Sequence, residues 1–276
     1  MLSINCKGKL LTFERPRIMG ILNLTPNSFY DGGKHNQLDQ SLLQVEKMLK
    51  EGADIIDIGA YSTHPKAPYV SEEEELERLL PVLEKIVCTF PEAIVSIDTF
   101  RAEVAKKSLE AGAHIINDVS GGTLDNDILN VVGEFHAPFI LMHMRGTPQT
   151  MQTLTDYEDV VKEMIYFFSE QIAKARAAGI VDIILDPGFG FAKSLDQNYE
   201  VLSKLDLFTP FQLPILSALS RKSMIYNFLD INAQEALNGT TALHMISLIK
   251  GANLLRAHDV KEAKQCVDLY LKTYVG

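Results

Sequence analysis

Cysteine is scarce in this 276-residue chain, and the three that occur, Cys6, Cys88 and Cys266, are far apart and odd in number. That argues against a disulfide framework or a zinc site and fits reduced thiols in a cytoplasmic protein. Long apolar runs are missing too, so no membrane-spanning segment is expected. Residues 1–16 carry Lys7, Lys9, Glu14 and Arg15 and do not read as a signal peptide. Positive charge is in deficit, with 26 Lys and Arg against 36 Asp and Glu and a net charge of -10. Such a chain repels nucleic acid and anionic lipid, so a phosphate-bearing ligand needs a local cationic pocket. Neither a G-x-x-x-x-G-K-[ST] loop nor a strand-led G-x-G-x-x-G fingerprint is present.

What remains is an alternation of strands and helices. Hydrophobic residues make up 46% and charged residues 22%, enough for a sizeable core. Short apolar runs at 18–22, 53–59, 93–97, 114–119, 138–142, 183–186, 215–219 and 253–256 read as strands. Helical patterns lie near 38–51, from Ser71 on in capping-box style, and near 101–111, 126–135, 157–178, 195–205, 235–250 and 260–273. The acidic run Glu72–Glu75 reads as a solvated first turn favoured by the helix dipole. Eight strand–helix units approach the ~250 residues typical of a (β/α)₈ barrel. The expectation is one TIM-barrel domain over 1–276, with a short β-hairpin at 1–16 covering the barrel. A doubly wound open sheet has the same element count and stays open on count alone.

Polar residues recur where those strands end. Asp186 closes the apolar run Ile183–Leu185 just before Pro187 and Gly188. A buried carboxylate needs company, and a loop cap or a ligand supplies it equally well. In chain order the strand ends also offer Asn23, Thr63, His64, Asp98, Asn117, Asp118, His143, Ser220 to Ser223, Arg256 and His258. One of these alone reads as a cap; the set reads as a single rim of chemistry. Asp98, Asn117 and Asp186 suit the N–H edge of a flat heterocycle, since a carboxylate accepts two parallel N–H bonds. Arg221, Lys222, Arg256 and His258 suit a phosphate or carboxylate, and a helix starting near Ser223 adds an N-terminal anion site. His143 reads as a packed, hydrogen-bonded rim residue and Lys193 as a solvated loop lysine.

The stretch Met19-Gly20-Ile21-Leu22-Asn23-Leu24-Thr25-Pro26-Asn27-Ser28-Phe29-Tyr30-Asp31-Gly32-Gly33 resembles the first signature of the dihydropteroate synthase family. Asp57-Ile58-Gly59, Ser96-Ile97-Asp98-Thr99, Ile116-Asn117-Asp118-Val119-Ser120-Gly121 and Leu141-Met142-His143-Met144 are similar to later blocks. So are Asp186-Pro187-Gly188-Phe189-Gly190-Phe191-Ala192-Lys193, Ser220-Arg221-Lys222-Ser223 and Arg256-Ala257-His258-Asp259. All occur in family order between about residues 18 and 260, which makes the series far more specific than any block.

The resemblance implies a (β/α)₈ barrel, usually a homodimer, that joins 6-hydroxymethyl-7,8-dihydropterin diphosphate to p-aminobenzoate. Asp98, Asn117 and Asp186 would bind the pterin edge, with Met142 against the ring and Lys222 flanking both substrates. Asn23 would help hold Mg²⁺ on the diphosphate, with Thr63, His64, Arg256 and His258 around that group. Phe29, Pro65, Phe191 and Ser223 would surround the aminobenzoate, for which sulfonamides should compete. Asp31, Lys222 and Asp98 are the expected catalytic residues, Asp31 steadying a developing cation. The family's second loop usually reads Gly-Gly-Glu-Ser-Thr-Arg-Pro; here it is Gly59-Ala60-Tyr61-Ser62-Thr63-His64-Pro65. Asn27 replaces the usual Asp, and Ala218 a common Gly. Two rivals share the pterin triad: a barrel passing a methyl group from reduced folate to a corrinoid protein, and a non-catalytic pterin binder.

Overall fold

The computed structural model describes residues 2–24, 34–61 and 69–276, leaving aside the side chains of 34–37. Two short strands, β1 (Ser3–Cys6) and β2 (Lys9–Thr12), pair antiparallel around Lys7 and Gly8, as the loose alternation there predicts. Eight parallel strands follow: β3 (Arg17–Asn23), β4 (Ile55–Gly59), β5 (Ile94–Asp98), β6 (Ile115–Asp118), β7 (Phe139–Met142), β8 (Ile183–Asp186), β9 (Leu216–Ser217) and β10 (Leu254–Ala257). They are ordered β8-β7-β6-β5-β4-β3-β10-β9, and a parallel bridge between Leu185 and Ile215 joins the two ends. The sheet therefore closes into a barrel, which removes the open-sheet alternative. Helices α1 (Lys34–Glu51), α2 (Glu72–Thr89), α3 (Ala102–Glu110), α4 (Ile128–Glu134), α5 (Val160–Ala177), α6 (Leu195–Ser203), α7 (Ser223–Leu229), α8 (Leu237–Ile249) and α9 (Val260–Tyr274) fill the connections.

Side chains alternate across a strand, so a barrel has an inner and an outer set. The outer set, including Ile56, Ile58, Val95, Ile97, Ile116, Phe139, Leu141, Ile183, Leu185 and Leu255, packs against the helices in the main core. The inner set starts with Met19, Ile55, Ile94, Ile115, Ile140, Ile184, Leu216 and Leu254, which form a second core with Ile4, Cys6, Leu11 and Phe13 of the hairpin. The hairpin thus packs against the barrel's N-terminal end. Two residues further along each strand, the inner face presents Asp57, Ser96, Asn117, Met142, Asp186, Ala218 and Arg256, and Asp98 lies four beyond Ile94. The period of two in the strands is what brings residues spread over the chain to one end of one barrel.

Two local expectations need correction. Ser71 accepts a hydrogen bond from the Glu74 N–H at 3.1 Å, but the Glu74 carboxylate turns to Arg78. Glu75 is not solvated: it is buried against Thr99 (2.8 Å) and Arg101 (2.5 Å). Among the described residues no helix is long and apolar enough to cross a membrane.

Candidate active site

At the C-terminal end of the strands lies one open cavity of about 640 Å³. Its lining includes Asn23, Asp98, Asn117, Met142, Asp186, Phe191, Lys222, Ser223, Arg256 and His258. Every residue to which the family resemblance gives a substrate or metal role, and which falls within the described part of the chain, is therefore at this one place. Phe29, Asp31, Thr63, His64 and Pro65 lie outside the described residues.

Strand register sets the acidic and amide side. Asp98 and Asn117 are Cα partners on β5 and β6, while Met142 and Asp186 are partners on β7 and β8. Asp186 keeps one oxygen on the Gly188 N–H at 2.7 Å. Gly188 has φ +67, and a Cβ there would lie 2.2 Å from the His143 carbonyl oxygen, so only glycine lets this turn close under the carboxylate. Burial pushes the Asp186 carboxyl above its ordinary range, with the Lys222 charge pulling the other way. Asp98 is likewise raised by burial against the pull of Arg256. Asp118 does not join them. It faces the turn beyond β6, accepting the Ser120 and Gly122 N–H groups at 2.7 Å each.

The centre of the arrangement is a residue that the sequence placed in a family-like block without giving it a role. Asp57 on β4 is wholly buried, and its Oδ2 accepts both Arg256 Nε at 2.7 Å and Asn117 Nδ2 at 3.1 Å. Arg256 reaches on to Asp98 Oδ2 at 2.7 Å. One buried carboxylate thus orients an arginine and an amide that both line the cavity. Asp57 Oδ1 has no hydrogen-bond partner among the described residues. The available signal was spacing, since Asp57 lies two residues beyond Ile55 on the inward face.

The cations divide differently from expectation. Lys222 Nζ donates to the Phe189 carbonyl at 2.5 Å and lies 4.7 Å from the centroid of the Phe191 ring. Burial lowers its pKa to about 8, with Asp186 resisting. Arg221 borders the cavity, but its guanidinium is occupied by Asp259 (2.7 and 2.9 Å) and by the Ala233 and Gln234 carbonyls. His258 lines the cavity with its ring nitrogen 3.1 Å from Ser220 Oγ. Desolvation by the surrounding protein and the nearby Arg256 charge lower its pKa to about 4, although the residue keeps an exposed face at the rim. Lys193 is not a solvated loop residue. It is 5% exposed and is bonded at 3.0 Å to His143, which is packed and hydrogen-bonded as expected.

Tyr61, where the resembled family usually carries glutamate, also lines the cavity. Its ring meets Phe100 edge-on at 5.2 Å, and its hydroxyl accepts Gln149 Nε2 at 3.1 Å. Met142 joins Val119, Met144, Met151 and Ala192 in a small apolar layer at the same end. Among the described residues no group of three or more His, Cys, Asp or Glu side chains is arranged to hold a metal ion. Asn23, exposed at the rim, offers a single amide oxygen.

The arrangement has close counterparts. The family model for pterin binding enzymes matches residues 19–258. The dihydropteroate synthase of Escherichia coli K12 is 44% identical over 263 residues, covering 95% of this chain and 93% of that one. A Yersinia pestis dihydropteroate synthase solved with a sulfonamide drug complex superposes with a TM-score of 0.93 at 41% identity, covering all of both chains. The Xanthomonas albilineans enzyme in complex with 7,8-dihydropteroate gives 0.89 at 35% identity over 99% of each chain. Fold, site and likeness over nearly the whole length agree, and the chain belongs to the pterin-binding enzyme family, among its dihydropteroate synthases.

Proposed function

We propose that this cavity condenses 6-hydroxymethyl-7,8-dihydropterin diphosphate with p-aminobenzoate by a dissociative displacement. The observation that carries the reading is the convergence of Asp98, Asn117, Asp186, Lys222 and Arg256 around a single opening. Asp98, Asn117 and Asp186 accept and donate along the pterin edge, with Met142 under the ring. Arg256 has N–H groups beyond those held by Asp57 and Asp98, and with His258 and Asn23 it receives the diphosphate. The methylene C–O bond breaks with its electron pair leaving on diphosphate. The electron-rich pterin shares the charge left on the methylene carbon. The aryl amine, neutral and nucleophilic at pH 7, then forms the C–N bond, and the acidic proton of the resulting anilinium passes to water, so no strong general base is needed. Phe191 and Ser223 flank that amine's ring and carboxylate, with Lys222 between the two substrates. Phe29, Asp31, Thr63, His64 and Pro65 are proposed to complete the enclosure.

The donor set fits Mg²⁺ carried mainly by the substrate, since this ion retains waters and binds through phosphate oxygens with few protein ligands. Asn23 would be its protein ligand, and when bound the ion would neutralise charge growing on the leaving group. The active form is proposed to be a cytoplasmic homodimer, with sulfonamides competing for the aminobenzoate position.

Purified protein supplied with Mg²⁺ and the pterin diphosphate should form dihydropteroate and diphosphate only when p-aminobenzoate is present. No dihydropteroate under any condition would refute the reading. Ser223→Ala should raise the KM for p-aminobenzoate by about fivefold and leave that for the pterin diphosphate nearly unchanged, as expected for one lost hydrogen bond. Equal changes in both would contradict the division of the cavity.

A further inference from the structure

We infer that Lys193 is a positioning residue, holding from behind the β8–α6 loop the wall that Phe191 and Lys222 present to the second substrate. The inference rests on the synthase reading above. Lys193 Nζ makes three contacts: His143 Nδ1 at 3.0 Å, the Gly188 carbonyl at 3.1 Å and the Phe191 carbonyl at 3.1 Å. The two carbonyls accept two of its N–H groups and the His143 ring nitrogen makes the third contact, while burial lowers the Lys193 pKa to about 7. Lys193 itself does not line the cavity, and it meets the lining only through the backbone carbonyl of Phe191.

Its effect travels through the loop's carbonyls, which face two ways. Those of Gly188 and Phe191 turn back to Lys193, while that of Phe189 turns forward to Lys222 Nζ at 2.5 Å. Rotating the peptides at 188 or 191 would carry the Phe189 oxygen with them and take away Lys222's acceptor. Such a rotation would also shift the Phe191 ring, which lies 4.7 Å from the same ammonium. Neighbouring contacts stiffen the loop: Tyr157 Oη donates to the Ala192 carbonyl at 2.8 Å, and Gly190 N–H donates to Asn198 at 2.7 Å. On the pterin side, Asp98 and Asn117 stand on β5 and β6 and take nothing from this loop. Asp186 takes only the Gly188 N–H, which belongs to the peptide ahead of the one whose carbonyl Lys193 holds. Loss of Lys193 should therefore fall on the aminobenzoate side more than on the pterin side.

The experiment is steady-state kinetics in both substrates, with thermal unfolding measured in parallel. Lys193→Met should raise the KM for p-aminobenzoate about tenfold and that for the pterin diphosphate less than about twofold, since small misplacements of a binding wall are expensive. His143→Leu is the control for mere loosening. It damages packing beside Lys193 but leaves both loop carbonyls bonded, so it should lower the melting temperature with the KM ratio kept. Where Lys193→Met yields no folded protein, Lys193→Gln retains two N–H donors and should shift the ratio less, in the same direction. A folded Lys193 variant with both KM values unchanged, or raised equally, overturns the inference. Wild-type protein that makes no dihydropteroate removes the synthase reading and this inference with it.

Discussion

Asp186→Asn is expected to lower kcat/KM for the pterin diphosphate by about a thousandfold, because a site built to pair with N–H groups discriminates steeply once its acceptor is gone. The carboxylate has one oxygen on the Gly188 N–H at 2.7 Å, and its other oxygen remains for a ligand. An amide in its place either points its NH₂ at the Gly188 N–H or points it at the pterin, and each choice sets donor against donor. The substitution also removes the negative charge that resists the lowering of Lys222, whose pKa already stands near 8. Asparagine is nearly the same size, and the strand partner Met142 is bonded through backbone, so the barrel should fold as before. Initial rates at varied pterin diphosphate and saturating p-aminobenzoate measure the effect directly. A fall of less than about tenfold would remove Asp186 from the pterin edge and leave it as a cap of its own turn.

How far the site was legible depends on what each residue type shows before folding. Asp98, Asn117, Asp186 and Arg256 were readable because each closes an apolar run, and in a closed parallel barrel the strand ends meet. Asp57 was not singled out, although it lies in the same inward row. It sits inside a strand, followed by Ile58, and its partner Arg256 is 199 positions away. Lys193 misled for the opposite reason. A lysine after a glycine-containing turn normally reaches solvent, and only the fold shows two carbonyls and a histidine already arranged to receive it. Arg221 and His258 had the right address but different electrostatics. Asp259 neutralises the first, and desolvation by the surrounding protein, helped by the Arg256 charge, keeps the second uncharged. Glu75 looked like part of an acidic surface run until α2 was placed over Arg101, whose guanidinium it meets. In each case the residue type was visible and its partner was not.

Asp57 carries the second large expectation, and it concerns stability as well as rate. Asp57→Ala should cost about 3 kcal/mol in unfolding free energy, the low end for breaking a buried ion pair by removing one member. The low end applies because Arg256 keeps Asp98, whose Oδ2 lies 2.7 Å from the guanidinium. Asn117 would lose its 3.1 Å acceptor at the same time, so two groups that line the cavity would be released together. Activity should fall more than stability alone accounts for at temperatures where the variant is fully folded. Urea unfolding of Asp57→Ala, Arg256→Met and the double variant separates the causes, since residues acting as one unit are not additive. The double variant should be less destabilised than the sum of the two single ones, because a buried charge left alone costs more than the loss of both. Additive costs would mean that Asp57 and Arg256 contribute independently, and the role assigned to Asp57 as the anchor of Arg256 would fall.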